Sequence, residues 1–162
     1  MRWLATTYQL VVSALLGARL FFAAVAAQRI FPPEVAALPR GDPRRTLAAD
    51  LVGELLGPLD SATLCGGAVC VLLALQLSRL LADRPAAARA AQRAATPALL
   101  VVLCATASIF GTTPAIHAMR EAGRTGEPRF GMLHGLSGGL LLLEMALLLF
   151  AALRRLDVDR TA

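Results

Sequence analysis

Apolar residues in this chain come in long runs, and the charged residues collect between the runs. The first run extends from Trp3 to about Gln28, the second from Ala62 to Ala82, the third from Ala98 to about Met119 and the fourth from Phe130 to about Leu153. A helix of about 20 apolar residues covers the ~30 Å hydrocarbon core of a bilayer. In lipid every backbone polar group must be paired internally, which a helix does by itself. The pattern therefore predicts an all-α integral membrane protein, a single membrane domain over 1–162. Four transmembrane helices, over about 5–30, 61–82, 97–119 and 130–153, form an up-down bundle. Ala24-Val25-Ala26 imitates a signal-peptidase site, but the run is too long for a leader and Arg19 interrupts it, so the first helix is expected to be retained.

The connecting segments carry their own signals. Pro32, Pro33, Pro39 and Pro43 exclude one helix through 29–45. Asp42-Pro43 is a helix start, an acidic N-cap followed by proline at the first position. Over 43–57, Asp50 and Glu54 share one face and Leu47, Leu51 and Leu55 the other. That predicts a short amphipathic helix before the second span, lying at the interface or entering the bilayer obliquely. Gly57-Pro58 is expected to break or kink the chain there, with Asp60 and Ser61 capping a new helix. Asp83 to Ala95 is alanine-rich and predicts a surface helix. Pro114 should kink the third span, with a hydroxyl of Thr112 or Thr113, or a water, serving the carbonyl it leaves free. Arg120 to Arg129 reads as a polar hairpin, with Gly123, Gly126 and Pro128 as breakers.

Composition supports the membrane class. Mean hydropathy is +0.64 and charged residues make up 17%, against about a quarter in a soluble domain. The net charge of +5 comes from sixteen basic residues, all arginine. They cluster at the ends of the apolar runs, where they anchor to headgroups, so the expected partner is the lipid bilayer and not nucleic acid. Eight arginines fall on the side of the termini and seven on the other. The dense Arg84, Arg89, Arg93 loop tips the orientation towards cytoplasmic termini in a bacterial cytoplasmic membrane. Cys65, Cys70 and Cys104 lie inside apolar runs without a C-x-x-C motif, which predicts small buried thiols between helices and no disulfide framework.

Chemistry-bearing residues are few. Arg19 and Glu144 lie inside spans, and a charge at a helix centre costs roughly 2.5–3.5 kcal/mol on insertion scales. Counted from the span ends, their depths differ by roughly 6–8 Å, a gap that a long arginine side chain covers. An Arg19–Glu144 ion pair between the first and fourth helices is one reading; a protonated Glu144 with Arg19 snorkelling alone is the other. His117 and His134 flank the last hairpin at similar depth and, with Ser137, outline a candidate polar pocket. Two histidines could bind haem or copper, the alternative reading, although a third ligand and a C-x-x-C-H motif are lacking. No metal site is committed. Gly131, Gly135 and Gly139 recur every fourth residue and form a smooth ridge for helix packing, within the monomer or in a homo-oligomer. No metal-ligand triad, nucleophile elbow or phosphate loop is visible, which points away from an enzyme.

Pro114-Ala115-Ile116 followed by Arg120, and Phe130-x-x-Leu133-His134-Gly135-x-Ser137, resemble the signature of the transmembrane protein 205-like family. Its bacterial members carry a domain of unknown function numbered 4149. Leu16-Gly17-Ala18-Arg19-Leu20-Phe21-Phe22 leading to Ile30-Phe31 resembles the first helix of that family, so the likeness covers residues 10–150. The resemblance implies a four-helix integral membrane protein and supplies no reaction. The chain departs from the family pattern in two places. Leu141 stands where the family has a polar Asn, with Glu144 as the nearby polar group, and Arg19 stands where it usually has an uncharged residue. From the residues and the resemblance together, the expected function is a structural or accessory component, or a small permease-like module.

Overall fold

In a computed structural model, residues 1–39 and 41–154 are described; Arg40, Arg155 and Arg160, counted above for orientation, lie outside them, as does the rest of the polar tail. The described chain is helical, without a strand. Four helices, α1 (Arg2–Ile30), α3 (Pro43–Leu80), α4 (Pro85–Glu121) and α5 (Pro128–Leu153), are long and apolar enough to cross a membrane. A one-turn helix, α2 (Pro33–Ala36), sits in the proline-rich link after α1.

The second long helix corrects two expectations. The helix continues through Pro58 as one element of 38 residues, and 43–57 is its first part, not a separate interfacial helix. Asp60 lies inside it and caps nothing. Proline removes a single N–H donor, and the rest of the ladder carries the helix past it. Hydroxyls bond back on either side: Ser61 Oγ donates to the Gly57 carbonyl at 3.1 Å and Thr63 Oγ1 to the Leu59 carbonyl at 2.8 Å. At 1.5 Å per residue α3 is about 57 Å long, nearly twice the hydrocarbon thickness. Its start is where the sequence puts it, with Asp42 Oδ1 accepting from the Arg44 N–H at 2.9 Å. That backbone hydrogen bond is the main reason the Asp42 carboxyl titrates below the usual carboxylate range. In the same way α4 joins the alanine-rich segment to the third apolar run, with Pro97 inside the helix.

Two of the long helices widen locally. In α1 a π-helical turn spans Phe22–Ala26, and in α4 another spans Ser108–Thr112, just ahead of Pro114. The Thr112 hydroxyl donates to the Ser108 carbonyl at 3.4 Å. It does not serve the Phe110 carbonyl, four residues before Pro114, as expected from the sequence.

The helices form a ring in the order α1, α3, α4, α5, each packed on its two neighbours. The core is concentrated towards the termini: Tyr8, Val12, Leu15, Cys70, Ala74, Ala98, Val101, Leu148 and Ala151 make one cluster, and Leu4, Leu77, Leu81 and Ala91 belong to a second. Gly66 and Gly67 make this packing close. A Cβ on Gly66 would meet Leu15 of α1 at 2.9 Å, and one on Gly67 would meet Val102 of α4 at 2.9 Å. Cys70 and Cys104 are buried as expected, but Cys65 faces outward from α3, five residues and roughly 140° round the helix from Cys70. The half of the bundle away from the termini is more open. Between Pro128 and Leu143, α5 buries no residue; its buried positions are Glu144, Leu148 and Ala151. In that half, Arg120 ties α4 to α3 by a 3.4 Å contact to Asp50 and a 3.3 Å hydrogen bond to the Ala49 carbonyl.

Candidate functional site

Where the packed half meets the open half, the bundle buries a cluster of charges. Arg19 comes from α1, in the turn before the π-helical segment. Asp60 and Thr63, three residues apart on one face of α3, come from just beyond Pro58. Ser108 is the first residue of the π turn in α4, and Glu144 is the first buried residue of α5. Arg19 and Glu144 are each 1% exposed, Asp60 3% and Thr63 0%.

The guanidinium of Arg19 is shared among three partners. Its NH1 group meets Asp60 Oδ1 at 2.7 Å, its NH2 group meets Glu144 Oε2 at 2.5 Å, and its Nε donates to Thr63 Oγ1 at 3.1 Å. The Thr63 hydroxyl proton is already committed to the Leu59 carbonyl, so its oxygen is free to accept. Ser108 Oγ donates to the other oxygen of Asp60 at 2.8 Å. One arginine thus ties α1 to α3 and α5, and Asp60 extends the connection to α4.

The two carboxylates are served unequally. Both oxygens of Asp60 have a partner. The Glu144 contact with Arg19 is close, but its angles fall outside hydrogen-bonding geometry, and Glu144 Oε1 has no hydrogen-bond partner. The arithmetic of charge is also unbalanced, with one guanidinium facing two carboxyl groups. The remaining titratable side chain that senses Glu144 is the buried Cys104 of α4.

The structure brings Arg19 and Glu144 together. Sequence reasoning missed Asp60, Thr63 and Ser108. In the sequence Gly57-Pro58 has the form of a break, which makes Asp60 resemble a helix cap. The available signal was the spacing of Asp60 and Thr63, a polar pair on one face at the head of an apolar run.

The residues expected to form a pocket at the α4–α5 hairpin are placed differently. His117 and His134 are both exposed and Ser137 is half-buried. The His134 ring stacks on Phe130 one turn earlier, with centroids 6.2 Å apart and planes 4° from parallel. Among the described residues no group of three or more His, Cys, Asp or Glu side chains is arranged to hold a metal ion. Gly131, Gly135 and Gly139 are exposed, and a Cβ added at any of them would meet nothing within 4 Å, so the ridge is not used within the monomer. The hairpin itself is closed by Arg124, whose Nε and Nη2 donate to Glu127 at 2.5 and 2.8 Å. This paired hydrogen bond holds the exposed Glu127 carboxyl below its ordinary range and raises Arg124.

No known protein family, curated protein or solved structure matches the chain.

Proposed function

We propose that this chain is a four-span protein of the bacterial cytoplasmic membrane, with cytoplasmic termini and of the transmembrane protein 205-like kind. It acts as a small permease-like module whose working part is the Arg19–Asp60–Glu144 cluster. The observation that carries this reading is the coincidence of buried charge with irregular backbone. Ionisable groups inside a membrane are expensive and mark pathways and relays. Here they sit beside the π-helical turn of α1, Pro58 of α3 and the π-helical turn of α4. Such turns and prolines concentrate at positions where helices bend and function. A contact meant only to hold helices together would be better served by apolar packing, since buried ion pairs are weak sources of stability. The packed half then serves as a base and the open half, including the first part of α5, as the part that moves.

Spin labels at positions 110 and 132, both exposed on the open half, test this in nanodiscs after replacement of the three native cysteines. The expected result is two distance populations whose ratio changes in Glu144→Gln. One narrow population, identical in both proteins, would leave a structural or accessory role. Release of the protein from membranes by alkaline carbonate would refute the membrane assignment itself.

A further inference from the structure

The unequal service of the two carboxyl groups has a chemical consequence. With Asp60 and Glu144 both ionised, the cluster would carry one uncompensated negative charge among residues at most 5% exposed. A buried unpaired charge is far more costly than a buried neutral polar group, and such a group takes up a proton instead. Two carboxyl groups that share a site cannot both ionise freely. The groups facing Glu144 are Arg19 from α1, Asp60 from α3 and the Cys104 thiol from α4, and α5 adds no other buried titratable side chain. Only Arg19 supplies positive charge. The position of the proton follows from the hydrogen bonds. Both Asp60 oxygens are occupied, Oδ1 by Arg19 at 2.7 Å and Oδ2 by the Ser108 hydroxyl it accepts from at 2.8 Å. Glu144 has an oxygen, Oε1, that is buried and accepts nothing.

We propose that Glu144 is an intramembrane proton-binding site: at neutral pH the cluster holds one proton, on Glu144 Oε1, and releases it to water when the open half admits solvent. Release leaves a carboxylate on Glu144 and a net charge of minus one on the cluster, and rebinding restores neutrality. The ligand is the proton. The site therefore couples protonation to the hold that Arg19 has on α5, and it rests on the membrane-embedded bundle proposed above.

Infrared spectroscopy tests the assignment on the unmodified chain, purified in an ester-free detergent at neutral pH. The wild type is expected to show the carbonyl stretch of a protonated carboxylic acid. That band should shift when glutamate is carbon-13 labelled and stay in place when aspartate is labelled. The other four glutamates, Glu34, Glu54, Glu121 and Glu127, are exposed or half-exposed and water-accessible, so a buried-acid band that moves with glutamate label belongs to Glu144. Asp60→Asn removes one of the two negative charges and should abolish the band, as should Glu144→Gln. Absence of the band from the wild type, its shift with aspartate label, or its persistence in Asp60→Asn would each overturn the proposal. The spin-label distances are read separately, so a missing proton and a rigid bundle are distinct failures.

Discussion

Replacing Arg19 by methionine is the sharpest perturbation of this protein. The substitution keeps an unbranched apolar stem and removes the one cation of the cluster. Asp60 Oδ1 and Glu144 Oε2 lose contacts of 2.7 and 2.5 Å, and Thr63 Oγ1 loses a donor at 3.1 Å. Two carboxyl groups then share a site that water barely reaches. Removing one partner of a buried pair costs about 3–5 kcal/mol. With a sensitivity of roughly 2–4 °C per kcal/mol for a chain of this size, the midpoint should fall by about 6–20 °C. Asp60→Asn should cost more than Glu144→Gln, because Asp60 serves both Arg19 and Ser108 whereas Glu144 touches Arg19 alone. The triple variant Arg19→Met, Asp60→Asn, Glu144→Gln should recover much of the loss, since no unpaired charge remains. Thermal unfolding in one detergent, followed by circular dichroism and by aggregation, measures all four proteins. A midpoint in Arg19→Met no lower than in Leu20→Ala, a truncation at an exposed neighbour, or a triple variant as unstable as Arg19→Met, would refute the charge-pairing role of Arg19.

Other consequences are separable. Gly67→Ala drives a Cβ to 2.9 Å from Val102 and should cost about 1–3 kcal/mol as overpacking; Gly135→Ala meets nothing and should leave the monomer's midpoint unchanged. If the glycine ridge of α5 mediates a homo-oligomer, Gly135→Leu should lower the mass measured by light scattering without lowering that midpoint. Tyr8→Phe removes the 2.9 Å bond from the Tyr8 hydroxyl to the Ala94 carbonyl, which links α1 to α4; the expected loss is about 0.5–1.5 kcal/mol, read from the same melts. The depressed pKa of Glu127 means that its pairing with Arg124 is fully present above the unfolded pKa and is lost as pH falls through the folded one. Acidification should therefore loosen the hairpin, seen as lower amide protection factors at Arg124 to Glu127 once the pH dependence of intrinsic exchange is divided out, and Arg124→Met should move the Glu127 carboxyl titration upward in NMR.

The chain by itself determined that the fold is helical and that four of its helices are long and apolar enough to cross a membrane. Apolar runs of bilayer length and arginines at their ends are one-dimensional facts, and the physics that converts them into helices is local. The start of α3 at Asp42-Pro43 was legible for the same reason, because capping acts within a single turn. The arginine and glutamate stood out in the sequence because apolar runs tolerate charge poorly. Asp60 did not stand out, since Gly57-Pro58 looked like a stop. Whether a proline ends a helix depends on what packs beside it, and α3 runs through Pro58 to lie along α1 and α4. The histidines and the glycine ridge drew notice by residue type, yet the tertiary arrangement leaves them exposed. Only the folded bundle could choose among the polar residues, because helix rotation decides which of them turn inward. It turned Arg19, Asp60, Ser108 and Glu144 from four different helices towards one point.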